Sequence, residues 1–152
     1  MHLQQISVFL ENVPGSLLKF TQLLEKREID LLSISLADTT HFGIARCIVS
    51  FPEQVVPMLR ESGYTVKVND VLGVCVQDRP GGLCDVLQKL ADEEVSVEYL
   101  YSFARHIHGR MYIIVRVDQT EKAEDILLSA GMTLLQQEDI ADTACEKKEG
   151  TP

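Results

Sequence analysis

The chain has 152 residues, 45% of them hydrophobic, which is enough apolar material to fill one ordinary domain or two small ones. Its formal net charge of -9 sets a repulsive field in front of nucleic acid and anionic membrane surfaces, so neither is an expected partner. No apolar run approaches the roughly 20 residues that span a bilayer, and Met1-His2-Leu3-Gln4-Gln5 lacks the start of a secretion signal, so a cytoplasmic protein is expected.

Leu3 to Leu10 alternates as a strand and runs into Leu10-Glu11-Asn12-Val13-Pro14-Gly15-Ser16-Leu17. Proline suits a helix's first turn, glycine admits another group close to the backbone, and Asn or Asp can cap the amides behind it. The pattern predicts a helix from Pro14 to Lys26 with Leu17, Phe20, Thr21 and Leu24 on its inner face. Further on, Ile29 to Leu36 reads as a strand, Asp38 to Gly43 as a turn and Ile44 to Phe51 as a strand. A helix from Pro52 to Ser62 stops at Gly63, and a strand from Tyr64 to Val68 closes the unit.

The same order then recurs. At an offset of 66 positions Pro14 meets Pro80, Gly15 meets Gly81, Leu17 meets Leu83, Gly43 meets Gly109 and Ile48 meets Ile114; after a two-residue slip Gly63 meets Gly131. The second copy has a strand from Leu72 to Val76, the corner Val76-Gln77-Asp78-Arg79-Pro80-Gly81-Gly82-Leu83, and a helix from Gly82 to Glu93 facing inward through Leu83, Val86, Leu87 and Leu90. Strands from Val95 to Phe103 and Arg110 to Val117 follow. A helix to Ala130 opens on a capping box of Asp118 and Glu121, and Thr133 to Gln137 is the last strand. Asn69-Asp70-Val71 reads as the joint, dividing the chain into units of 1–70 and 71–140, with a disordered polar tail over 141–152. Strand-helix-strand-strand-helix-strand in under 70 residues is the ferredoxin-like unit, an antiparallel sheet with both helices on one face, so the fold class is α+β.

Cys47, Cys75, Cys84 and Cys145 share no C-x-x-C spacing, and the first three, lying in apolar patterns, read as buried thiols. His106 and His108 could share one side of a strand end, but no neighbouring thiolate or carboxylate completes a metal site, so neither metal nor cofactor is expected. His41, His106, Asp78 and Glu98 are too scattered to assemble a nucleophile, a base and an orienting group, which argues against an enzyme. Each open helix N-terminus is a place for a carboxylate or phosphate, or simply a well-made turn that binds nothing. Tyr99, Tyr101 and Phe103 share one face of their strand, where the first copy has Ser33 and Ser35. If these strands are edges, they are candidates for pairing copies or chains.

Two consecutive units opening on Asn-x-Pro-Gly-x-Leu and Asp-x-Pro-Gly-x-Leu resemble ACT domains, small-molecule sensing modules, over about Leu3 to Ile140. The chain is similar to stand-alone proteins of two ACT repeats. The resemblance implies a non-enzymatic regulatory protein that binds a free amino acid where the loop after the first strand of one unit faces the second strand of another. A homodimer and a regulated enzyme or regulator are the expected partners; an interaction module without ligand is the first alternative, and a small enzyme using the same cleft the second. Carried onto this chain, the loop positions are Asn12, Val13, Pro14, Gly15, Ser16 and Leu17, with Asp78, Arg79, Pro80, Gly81, Gly82 and Leu83. The strand positions are Ser33 and Ser35, with Tyr99, Tyr101 and Ser102. The second loop adds Asp78 for an ammonium, or as a helix cap only, and Arg79 for a carboxylate, or as a solvated side chain only; Gly82 would open more backbone than Ser16.

Overall fold

The computed structural model describes residues 2–38 and 42–141. The elements are β1 (Leu3–Glu11), α1 (Ser16–Lys26), β2 (Leu31–Asp38), β3 (Phe42–Val49), α2 (Pro52–Glu61), β4 (Thr65–Val76), α3 (Gly82–Asp92), β5 (Val97–Ser102), β6 (Met111–Val117), α4 (Thr120–Ser129) and β7 (Leu134–Leu135). They form two compact units, one holding residues 4–69 and the other residues 70–141 together with residues 2 and 3. Each is a ferredoxin-like βαββαβ unit with antiparallel pairing.

In the first unit the strand order is β2-β3-β1-β4. Ile6 pairs with Cys47 and Val8 with Ala45, while Ile34 and Leu36 of β2 pair with the same two residues, so all six lie on one face. Phe20 and Leu24 of α1 and Val55, Val56 and Leu59 of α2 close over that face to make the core. Period two in the strands and period 3.6 in the helices are what put these residues together. The other face carries Gln5, Ser7 and Ser33, which are buried too, with Gln5 Nε2 donating to Ser7 Oγ at 3.0 Å and Ser7 Oγ to Asn69 Oδ1 at 3.3 Å.

The second unit repeats this as β7-β4-β6-β5, with Leu72, Val74, Val115 and Val117 beneath Val86, Leu90, Ala123 and Leu127. A two-residue turn joins Ile107 to Arg110 through His108 (φ 50°) and Gly109 (φ 72°), the left-handed pair of a type I′ hairpin. His106 and His108 therefore belong to this hairpin end.

Several elements differ from the sequence reading. Asn69-Asp70-Val71 is no joint between strands: β4 runs through it without a break, and neither proline nor glycine interrupts the valine-rich run from Val66 to Val71. The predicted strand over Thr133 to Gln137 shrinks to Leu134–Leu135, and residues 137–141 turn helical. Asp139 Oδ2 accepts the Gln136 N–H at 2.8 Å, one half of a capping box, and Ile140 beside it is fully buried. The box expected from Asp118 and Glu121 does not form. Gln119 holds the cap position of α4 without a side-chain bond, and Asp118 Oδ1 instead accepts the Ser96 N–H at 2.9 Å. Among the described cysteines only Cys47 is buried; Cys75 is half-buried, and Cys84 is exposed because it falls on the outer side of α3. Leu17 and Leu83, assigned to the inner helix faces, stand at their rims, half-exposed. His41, Cys145 and the tail from residue 142 lie outside the described residues.

Candidate functional site

In both repeats the first strand hands over to the first helix through the same turn. The Ser16 N–H donates to Val13 O at 3.2 Å, and the Gly82 N–H to Arg79 O at 3.0 Å. Pro14 and Pro80 hold the second turn position, while Gly15 (φ 83°, ψ -4°) and Gly81 (φ 90°, ψ -8°) hold the third. Those dihedrals define a type II turn, whose third residue is left-handed and therefore suits glycine. The N-cap positions of α1 and α3 are Gly15 and Gly81, which make no side-chain cap bond, and Asn12 and Asp78 do not hold the cap position their sequence pattern suggested. The turn places three residues between each of them and the first helical residue. Lys19 N–H reaches Gly15 O at 2.9 Å and Asp85 N–H reaches Gly81 O at 3.0 Å. The amides of Leu17 and Leu18, and of Leu83 and Cys84, precede these and have no acceptor within their own helix.

Beyond the shared turn the two loops diverge. Arg79 is fastened to its surroundings: Nε donates to Gln77 Oε1 at 2.7 Å, one terminal nitrogen donates to Pro80 O at 3.0 Å, and the other is paired with Asp85. Gly82 does not open the backbone. A Cβ there would lie 2.1 Å from the carbonyl oxygen of Gln77, so the missing side chain is filled by the loop itself. A shallow hollow of about 530 Å³ runs outward from Arg79, Gly81 and Gly82 along Leu83, Cys84 and Leu87.

The first loop instead borders a cleft of about 380 Å³ at the end of β1. It is lined by Val13, Pro14 and Ser16 of the loop, Phe9, Leu10 and Glu11 of β1, Phe42 of β3 and Lys19 of α1. Glu11 and Phe42 are register partners, which sets the carboxylate beside the ring. The far wall is Gly63-Tyr64-Thr65. Gly63 N–H bonds Arg60 O and Tyr64 N–H bonds Leu59 O, both at 3.0 Å, closing α2, and the Tyr64 ring meets Phe20 edge-on at 5.7 Å between centroids. The cleft thus combines one anion, one cation and an aromatic, apolar lining on a braced frame.

The strand residues fall elsewhere. β2 and β5 are sheet edges. Ser33 and Ser35 face away from the helices, opposite Ile48 and Arg46, and Ser33 is buried. Tyr99 and Tyr101 likewise pair with Arg116 and Ile114 on the helix-free face. Ser102 alternates with the tyrosines, pairs with Ile113 and lies on the opposite side of β5, as period two requires. Neither the cleft nor the hollow contains a residue of β2 or β5. Phe9, Glu11, Lys19, Phe42 and Tyr64 were not singled out from sequence. Their signal was present in the mismatch between repeats, since Cys75, Gln77, Asp85, Arg110 and Met132 stand at the matching places.

A family model described as "ACT domain pair" matches residues 1–144. Among solved structures, protein BT0572 from Bacteroides thetaiotaomicron is 34% identical with a TM-score of 0.85, the match covering 93% of this chain and 96% of that one. The regulatory subunit of aspartate kinase from Thermus thermophilus, in its ligand-free form, matches with a TM-score of 0.59 at 20% identity over 86% of this chain and 93% of that one, which shows a shared fold. The corresponding subunit from Thermus flavus gives a TM-score of 0.56 at the same identity and coverage. No curated protein matches. With a family model spanning nearly its whole length and both repeats built around the same Pro-Gly turn, the chain belongs to the family of ACT domain pairs.

Proposed function

We propose that this ACT domain pair is a cytoplasmic, non-enzymatic regulatory protein that binds a free amino acid. The observation that carries the reading is the cleft beside the first loop, which Lys19 and Glu11 line together with apolar residues. A zwitterion needs one partner of each charge, and amides at the start of α1 add donors for its carboxylate. We place the ligand at this first turn, with Asn12 to Leu17 as its loop. The second loop, Asp78 to Leu83, is the weaker candidate because Arg79 is already engaged with Asp85. The strand residues Ser33, Ser35, Tyr99, Tyr101 and Ser102 are kept as positions for contact with a further unit.

Calorimetry of the whole chain against the proteinogenic amino acids tests this. A saturable heat without turnover supports it, and silence across the panel rejects it. A second reading, docking to another protein, is favoured by Ile34 and Leu36, which lie on the core-facing side of edge strand β2 and are 39% and 54% exposed. The same feature supports self-association as a homodimer and attachment to a regulated enzyme.

A further inference from the structure

We infer that the first cleft selects an amino acid with a bulky apolar side chain, gripped by both of its charged ends, an inference that rests on the amino-acid reading above. Phe9, Val13 and Phe42 are 39%, 54% and 52% exposed, and all three converge on this one concavity. Two phenylalanines and a valine left facing water in a concave site make a surface that an apolar group would cover. The charged residues at its edge are available: neither Glu11 nor Lys19 has a side-chain partner among the described residues. With the ligand carboxylate on Lys19 and its ammonium on Glu11, the side chain is left to the apolar part of the lining, Phe9, Val13 and Phe42. An acidic side chain would bring a second negative charge towards Glu11 on a molecule of net charge -9. A small one would leave the aromatic wall wet.

Internal comparison points the same way, independently of exposure. At the places matched by strand register, Phe9 becomes Cys75, Glu11 becomes Gln77, Lys19 becomes Asp85 and Phe42 becomes Arg110, while the Pro-Gly turn is kept. The turn is therefore common architecture, whereas the zwitterion contacts and the apolar wall belong to the first repeat alone. Asp85, at the place of Lys19, turns inward to pair with Arg79, which stands at the place of Val13.

The test is calorimetry on the full-length protein with L-leucine, L-phenylalanine, L-serine, L-aspartate and L-lysine, repeated on Phe42→Ala and Lys19→Gln after circular dichroism confirms that both remain folded. Phe42 and Lys19 are exposed, so both substitutions leave the core intact. Leucine or phenylalanine should bind, and each substitution should weaken that binding by about tenfold or more. Leucinamide, lacking the carboxylate, and 4-methylpentanoate, lacking the ammonium, should lose comparable affinity. Binding of aspartate, lysine or serine in preference to the apolar pair overturns the selectivity while leaving the amino-acid reading standing. Apolar binding that neither substitution alters overturns the cleft assignment. Silence towards every amino acid overturns both.

Discussion

Glycine at residue 82 is required by space rather than by dihedral freedom. A Cβ would meet the Gln77 carbonyl at 2.1 Å, and that oxygen belongs to backbone, which cannot swing aside as a side chain could. Gly82→Ala should cost about 1–3 kcal/mol through overpacking, whereas Ser16→Ala at the equivalent position should be near neutral. Urea midpoints of the two variants compare them directly, and equal midpoints would remove the argument. The cysteines divide in a similar way. Burial pushes the Cys47 thiol up to about 12, so it stays protonated and inert, while Cys84 stands exposed on α3. Brief iodoacetamide treatment of the native protein followed by peptide mapping should find Cys84 labelled ahead of Cys75, and Cys47 labelled only after denaturation. Labelling of Cys47 at the rate of Cys84 would contradict its burial.

The first helix of each repeat ends in the same strained way. Glu28 and Glu94 adopt φ values of 55° and 56°, left-handed for a residue with a Cβ. Around Glu28, Ile29 N–H bonds Leu24 O at 2.9 Å and Glu28 N–H bonds Glu25 O at 2.9 Å; around Glu94, Val95 N–H bonds Leu90 O at 2.9 Å. This is the Schellman closure, in which glycine is the usual left-handed residue. A non-glycine residue there costs roughly 1–2 kcal/mol, partly offset by the greater backbone freedom that glycine loses on folding. Glu28→Gly and Glu94→Gly are each expected to stabilise the protein by about 0.5–1 kcal/mol. The sites lie far apart in sequence with no shared partner, so the two gains should add. Thermal melts of the single and double variants check this, and a fall in melting temperature for either single variant would count against it.

At the level of the whole molecule, acid stability depends on a contact between His2, just ahead of β1, and Glu124 of α4. His2 Nε2 lies 2.7 Å from Glu124 Oε2, both side chains being largely shielded. Burial works against ionising Glu124, but neighbouring positive groups, His2 among them, outweigh it and hold the carboxyl below its ordinary value of 4.5. A carboxylate depressed in this way adds stability that is complete above its unfolded pKa and is lost as the pH falls through the folded one. Glu124→Gln should therefore be less stable than the parent at neutral pH, with the gap closing as the pH drops below 4.5. Denaturant unfolding at pH 7 and at pH 3 measures it, and a gap of equal size at both would show that the depressed carboxyl contributes nothing to acid stability.

Period-two and period-3.6 patterns, written twice at a constant offset, were enough to determine the ferredoxin-like units, their core residues and the Pro-Gly turns, because all of these depend on local alternation and on dihedrals that proline and glycine restrict. Only the tertiary structure could decide how individual polar groups are spent. Asp118 was free in sequence either to cap α4 or to tie β6 to Ser96, and the strand pairing chose the second. Arg79 read as a carboxylate receptor until Asp85, six residues on, was folded back against it. Glu11, Lys19, Phe42 and Tyr64 are dispersed over more than fifty residues and become one cleft only because β1 pairs with β3 and the turn closing α2 lies beside them. No local pattern encodes such a convergence, since it arises from register and chain reversal, which act between segments distant in sequence.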